Sequence, residues 1–292
     1  MMTWIERHIP KLVLAPSFAV TLVFVYGFIA WTGYISFTKS KLLPKYDLVG
    51  TIQYNRLFES PRWGVALDNL FVFTTVFVLI SMLLGLILAI FLDQKIRGEG
   101  VLRTIYLYPM ALSMIVTGTA WKWLMNPGLG FQAQMQELGF ENFKFDWIID
   151  PNMAIYAIVI AAIWQASGFV MALFLAGLRS INQEIIQAAQ IDGVPTYRIY
   201  ASVIIPAMSS IFLSSFIVLI HLAIKSFDLV ISMTGGGPGY ATDMPATYMY
   251  AMAFSRGSLG QAAASASIMM MIVFAIVVPY LYSELRSTRD QF

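Results

Sequence analysis

The chain contains no cysteine. Disulfides and thiolate metal sites are therefore excluded, while the compartment is left open. Histidine occurs only as His8, near the N-terminus, and His221, inside an apolar run. Two such distant imidazoles do not make a metal cluster. Charge is also scarce, at 12% of residues against about 25% in soluble domains. Hydrophobic residues make up 59%, and the mean hydropathy is +0.73. Such a chain cannot clothe a water-facing surface with polar groups. No cluster of acid, base and nucleophile stands out, no selectivity-filter pattern is present, and there is neither an internal repeat nor a low-complexity tail. Residues 1–292 read as one membrane domain.

What fills the chain is apolar sequence. Six stretches carry no Asp, Glu, Lys or Arg: 12–38, 69–92, 104–121, 151–178, 199–224 and 257–283. A helix needs about 20 apolar residues to cross the hydrocarbon core, and only helices or closed barrels satisfy their backbones there. The stretches lack the alternation of a barrel strand. The expected fold class is thus an all-α membrane protein with six transmembrane helices, at about 12–36, 67–92, 103–124, 152–177, 203–226 and 262–284. The first run, 27 residues without charge, exceeds the 7–15-residue core of a signal peptide and reads as a retained helix.

An even number of spans puts both termini on one side. The basic residues do not say which side. Arg7, Lys11, Lys95, Arg97, Arg103, Arg179, Arg198, Arg286 and Arg289 on one face balance Lys39, Lys41, Lys45, Arg56, Arg62, Lys122, Lys144, Lys225 and Arg256 on the other. The segment 34–65 is too polar to cross and too apolar to be disordered, and reads as a helix or re-entrant piece at the surface. The loop 125–150, with Asn126-Pro127-Gly128 and Phe145-Asp146-Trp147, reads as an excursion from the membrane.

The most informative segment lies between the fourth and fifth runs. Ile186 to Ile191 has helical character, Gly193 can supply the positive φ of a helix end, and Pro195 suits the first turn of a second helix. The pattern Gln187-Ala188-Ala189-Gln190-Ile191-Asp192-Gly193, followed by Val203-Ile204-Ile205-Pro206, resembles the "EAA" loop of ATP-binding-cassette (ABC) importer permeases. By that resemblance 180–202 is a cytoplasmic coupling loop that docks on a separate ATPase, with Gln187, Ala188, Ala189, Asp192, Gly193 and Pro206 carrying the motif. Gln187 replaces the usual Glu, so a neutral hydrogen bond stands where a charge-assisted one is usual. Both termini are then cytoplasmic, in a bacterial or archaeal inner membrane.

A second motif, Ser226-Phe227-Asp228 and then Met233-Thr234-Gly235-Gly236-Gly237-Pro238, is similar to a stretch that follows the fifth helix of carbohydrate permeases. Ala241, Thr242, Tyr248, Tyr250, Ala253 and Phe254 continue the likeness. So does Val49-Gly50 with Gln53, Tyr54 and Leu57 before the second helix, Gln53 standing where Asn is usual. The glycines are no phosphate loop, since no Gly-Lys-Ser/Thr follows; they let the backbone turn at the membrane edge. The resemblance is to the upstream permease of sugar importers of the maltose, glycerol-phosphate and glucose type. It implies half of an alternating-access pathway. Its expected partners are a second permease, two ATPase subunits holding ATP and Mg, an external sugar-binding protein and membrane lipid, with no nucleic acid. Glucose or another monosaccharide is the preferred cargo.

Polar and aromatic groups at membrane depth face a cavity or another helix. Trp164, Gln165, Ser167, His221, Lys225, Ser226 and Asp228 are the candidates for the substrate pathway, or for bonds between helices. His221 and Lys225, four apart, share a face. Trp121 and Trp123 read as interfacial belt residues. The alternative function, an ion-coupled secondary transporter, calls for a carboxylate within the membrane; the six stretches contain none, and Asp68, Asp93, Asp150 and Asp228 lie at or beyond their ends.

Overall fold

The structure, a computed structural model, describes residues 4–94 and 96–289. Lys95 lies outside them, and so do the two chain ends, whose orientation was expected to be cytoplasmic. Among the described residues the regular structure is helical apart from one antiparallel bridge, Thr38 to Leu48.

The chain begins with α1 (Trp4–Thr21), a π-helical turn and α2 (Gly27–Ile35), followed by the short α3 (Ile52–Phe58). The long α4 (Pro61–Asp93) leads to α5 (Glu99–Leu107), α6 (Met114–Leu124) and α7 (Phe131–Glu137). Next come α8 (Ala154–Ser180), α9 (Gln183–Ile191), α10 (Thr196–Ile199), a π-helical turn, α11 (Ile205–Ala207) and α12 (Ser209–Ile224). The last elements are α13 (Phe227–Met233), α14 (Pro245–Tyr250) and α15 (Leu259–Arg289).

Four helices are long and apolar enough to span a bilayer unbroken: Val13–Ile35, Pro61–Asp93, Ala154–Ser180 and Leu259–Tyr280. The expected third and fifth spans are bent pairs, turning by 100° between Glu99–Ala111 and Met114–Leu124, and by 69° between Thr196–Ala207 and Ser209–Ile224. Each pair counts as one span if six are to cross. The chain is an all-α, multi-pass membrane protein.

Both bends have local causes. Before the first, Pro109 sits in a 3₁₀ turn, and Leu112 and Ser113 are extended, with ψ of 145° and 149°. Ser113 then caps α6, its Oγ accepting from Val116 N at 3.3 Å. At the second, Pro206 lacks an N–H, and its ring would crowd the carbonyl one helical turn before it. The π-helical turn Tyr200–Ile204 widens the helix there, with Ile205 N bonded to Tyr200 O.

The chain packs as two compact units, Met1–Trp63 with Tyr248–Ile272, and Gly64–Thr247 with Val273–Phe292. In the first, the segment after α2 is folded tightly and is not a free loop. Lys39 N bonds Asp47 O and Val49 N bonds Phe37 O. Gln53 is buried and donates from Nε2 to Thr38 O at 2.8 Å. Gly260 N then bonds Ser40 O at 3.0 Å, fastening this segment to the start of α15. Trp63 packs edge-on against Tyr248 at 5.2 Å, and Gln261 Nε2 donates to the Tyr248 hydroxyl at 2.8 Å.

The second unit is built around α8, whose most apolar window is 67% buried, against 33% for α4. Small residues on α8 let its neighbours approach closely, as membrane helices require where no hydrophobic drive separates protein from lipid. A Cβ at Gly168 would run into the Tyr106 carbonyl, and one at Gly177 into the Ile211 side chain. On α4, a Cβ at Gly85 would meet Val170 at 2.6 Å. Phe174 and Phe212 stack at 4.5 Å between α8 and α12. On α6, Gly118 lies so close to Ser232 of α13 that no side chain fits. Residues 125–150 have a small aromatic core of their own, Phe131 edge-on to Phe143 and Phe145 at 5.5 and 6.0 Å.

Overpacking a filled helix contact costs about 1–3 kcal/mol. Gly168→Leu should therefore lower the thermal unfolding midpoint of the detergent-purified protein. Gly64→Ala, on open helix surface, should leave the midpoint unchanged or raise it, since alanine is favoured over glycine in a helix by about 1 kcal/mol.

Candidate functional site

The segment 180–202 is a helix, a sharp reversal and a second helix. Asn182 begins α9, its Oδ1 accepting from Glu184 N at 2.9 Å. At the other end Gly193 takes φ 72°. Gly193 N bonds Gln190 O and Val194 N bonds Ala189 O, each at 3.1 Å. This paired closure with a left-handed residue is the Schellman arrangement. Pro195 is extended, at ψ 144°, and caps α10. It was expected inside the first turn; it stands one residue earlier, because the chain must still reverse there.

The closure divides α9 into two faces. Ile186, Ala189 and Val194 pack against the core of the second unit. Ile185, Ile191 and Tyr197 are exposed, at 52%, 86% and 69%, and Ala188, Gln187 and Asp192 are exposed with them. The alanine pair was expected to act as one docking surface. The helix turns Ala189 inward and Ala188 outward, since adjacent residues on a helix do not share a face. The outward side sets the apolar Ile185, Ala188, Ile191 and Tyr197 among the exposed polar residues Glu184, Gln187 and Asp192. Isolated exposed apolar residues need no explanation, but a contiguous patch marks an interaction site.

The root of this segment is held by charge. Arg179, at the end of α8, reaches Glu99 at 2.7 Å and Asp93 at 3.6 Å.

A cavity of about 310 Å³ lies within the second unit, lined by Phe73, Phe77, Met110, Met114, Gln165 and Ser226 among others. Gln165 is buried there and donates from Nε2 to Leu112 O at 2.8 Å. It thereby takes up a carbonyl freed by the bend of the third span. Its Oε1 and the Ser226 Oγ are buried without a protein partner.

The glycine-rich segment is a self-bonded knot. Gly235, Gly236 and Gly239 have φ of 65°, 93° and 62°. Thr242 Oγ1 donates to Gly237 O at 2.8 Å and lies 2.7 Å from Thr234 Oγ1. Asn69 Nδ2 donates to Ala241 O and Asp243 O at 3.0 and 2.9 Å, tying the knot to α4. The glycines serve the backbone turn, as expected.

Residues 81–287 match the model of the family described as binding-protein-dependent transport system inner membrane component. The chain belongs to this family. A Pyrococcus horikoshii protein named "Probable ABC transporter permease protein" is 41% identical over 273 residues, covering 93% of this chain and 94% of the relative. The xylose/arabinose import permease protein of Haloferax volcanii is 34% identical over 271 residues, covering 91% and 85%. Among solved structures, a bacterial alginate ABC transporter in complex with an alginate pentasaccharide-bound periplasmic protein includes a chain of similar fold. Its TM-score is 0.81 at 19% identity, with 94% of this chain and 93% of that one covered.

The remaining pathway candidates of the permease fall in two environments. Gln165 and Ser226 share the cavity. Trp164, His221, Lys225 and Asp228 are exposed. His221 borders a small cleft with Ile220 and Val273, and Lys225 caps the end of α12. Trp121, read as a belt residue, packs edge-on against Trp164 at 5.8 Å. Sequence reasoning passed over Asn182, although an Asn just before a helix with Glu two residues on is a cap signal. It also passed over Ile185, Ile191 and Tyr197, whose outward direction no pattern announced.

Gly193 has free space for a side chain but a backbone that L-residues resist. Gly193→Ala should destabilise by roughly 1–2 kcal/mol, and Asn182→Ala by about 1 kcal/mol through loss of the cap. Protease susceptibility of 180–202 in the intact membrane protein should rise in both, while helix content by circular dichroism stays the same.

Proposed function

We propose that this permease is the membrane subunit of an ATP-driven, binding-protein-dependent sugar importer and forms half of an alternating-access pathway. The observation that carries this reading is the 180–202 segment: a rigidly closed helix–turn–helix presenting Ile185, Ala188, Ile191 and Tyr197 outward. Such a patch at a water-facing loop suits insertion into a groove on another protein, where shape and apolar burial supply affinity. Gln187 and Asp192 at its margin add hydrogen-bonding specificity, and Pro206 lies at the bend of the fifth span. That Gln187 is uncharged places the weight of docking on the apolar groups. The names of the sugar-importing relatives support the choice of cargo class.

The expected assembly contains a second permease, two ATPase subunits and an external sugar-binding protein. ATP and Mg belong to the ATPases. Closure of those subunits pushes the docked loops, and α9 and α10 pass the movement to α8 and α12. The loop and both termini then lie in the cytoplasm. Trp164, His221, Lys225 and Asp228, being exposed on this chain, are placed to face the pathway shared with the second permease. Gln165 and Ser226 contribute from the adjoining cavity. Glucose or another monosaccharide remains the preferred sugar.

The test is co-expression with genomic neighbours, mild detergent extraction and identification of what stays bound. A stoichiometric ATPase and second permease, with hydrolysis raised by a sugar-loaded binding protein, is the expected result. A chain that purifies alone and transports under an ion gradient without ATP would falsify the proposal. Burying an unpaired carboxylate in an apolar contact costs several kcal/mol, so Ile191→Asp should release the ATPase at least about a hundredfold more readily while the chain stays in the membrane. Gly193→Pro should abolish uptake without loss of the membrane protein. Substitution of Trp164 or His221 should alter sugar preference more than ATP hydrolysis, read by competition uptake with a panel of sugars.

A further inference from the structure

The two roots of the 180–202 segment converge on one short turn. Arg179, one residue before the end of α8, donates from its guanidinium to Glu99 Oε1 at 2.7 Å and lies 3.6 Å from Asp93 Oδ1. Asp93 is the last residue of α4 and Glu99 the first of α5. On the far side of the segment, Tyr200 lies within electrostatic reach of Asp93 and Gln94. The turn between α4 and α5 reverses at Gly98, with φ 84°. The acidic pair flanking this turn therefore holds the chain where it leaves α8, and Tyr200 at the start of the fifth span lies within reach of its charge.

Geometry alone makes this more than a surface ion pair. The side chains of Arg179, Asp93 and Glu99 are 42%, 31% and 26% exposed, so solvent weakens each contact, and isolated pairs of that kind contribute little stability. Their arrangement matters more than their strength. One guanidinium is shared between two carboxylates on two helices, which fixes the planar group in orientation as a lysine would not. A force on α9 then has three exits: into α8 through Ser180, into the fifth span through Tyr200, and across Arg179 into α4 and α5. The third adds a charged link at the base of the moving loop to the apolar packing and the Gln165–Leu112 bond that join α8 to the second and third spans.

We propose that Arg179 is a positioning residue for coupling, transmitting movement of the 180–202 segment to the second and third spans through Glu99 and Asp93. This rests on the reading of that segment as an ATPase-docking loop. The Arg179–Glu99 pair, separated by 80 positions, grips the loop's base where it leaves α8.

The experiment uses the complete transporter, reconstituted in liposomes with its ATPases, second permease and binding protein, and measures ATP hydrolysed per sugar imported. Arg179→Met should raise that ratio several-fold at an unchanged amount of assembled complex and an unchanged thermal midpoint, which a purely structural role would shift. Glu99→Gln, isosteric and gentle to folding, should raise it in the same direction. The double variant should be no worse than Arg179→Met alone, because both changes cut one link. Should Arg179→Met fail to assemble, Glu99→Gln decides by itself. A wild-type ratio in Glu99→Gln, or additive effects in the double variant, overturns the proposal while leaving the importer reading standing. A wild-type chain that binds no ATPase overturns both.

Discussion

Within a bilayer no water is available to take up a backbone group that a helix lets go, and this constraint organises the second unit of the permease. The third span turns through 100°, and such a turn frees carbonyls and amides that would each cost several kcal/mol in hydrocarbon. Gln165 is buried on the central helix where its amide can reach the Leu112 carbonyl, and Ser113 caps the helix that follows. The fifth span meets the same problem differently: a π-helical turn absorbs the missing amide of Pro206. Broken helices are tolerated at membrane depth where their freed backbone groups find partners.

Satisfying those groups requires the helices to come close, and the glycines of α8 make that possible. Gly168 sits against the Tyr106 backbone, next to the very bend that Gln165 stabilises. Packing and polar satisfaction are thus one arrangement, three residues apart on one helix face. The cavity beside it follows from the same bend, because a helix that turns away leaves space behind it. At the other end of α8, Arg179 performs for charged ends what Gln165 performs for a carbonyl, drawing α4 and α5 to the base of the exposed segment.

Function then follows from what the core does not absorb. α9 gives Ile186 and Ala189 to the core and leaves Ile185, Ala188 and Ile191 outside. Its Schellman closure holds the turn through backbone bonds, Gly193 N to Gln190 O and Val194 N to Ala189 O. Trp164, His221, Lys225 and Asp228 likewise remain uncovered by this chain.

The sequence by itself determined the solvent and the element type. Long charge-free runs admit only helices in lipid, and Gly193 between Asp192 and Val194 encodes a helix end, since few other residues accept its φ. The closure at Gly193 was legible because its chemistry is local, confined to consecutive backbone bonds. The tertiary structure alone decided which spans bend, which alanine of the pair faces out, and that Gln165 spends its amide on Leu112 and not on open space. It alone brought Arg179 to Glu99, and Trp121 to Trp164. These pairings join residues tens of positions apart, and their energies depend on how whole helices cross. Composition and short-range spacing carry no record of that.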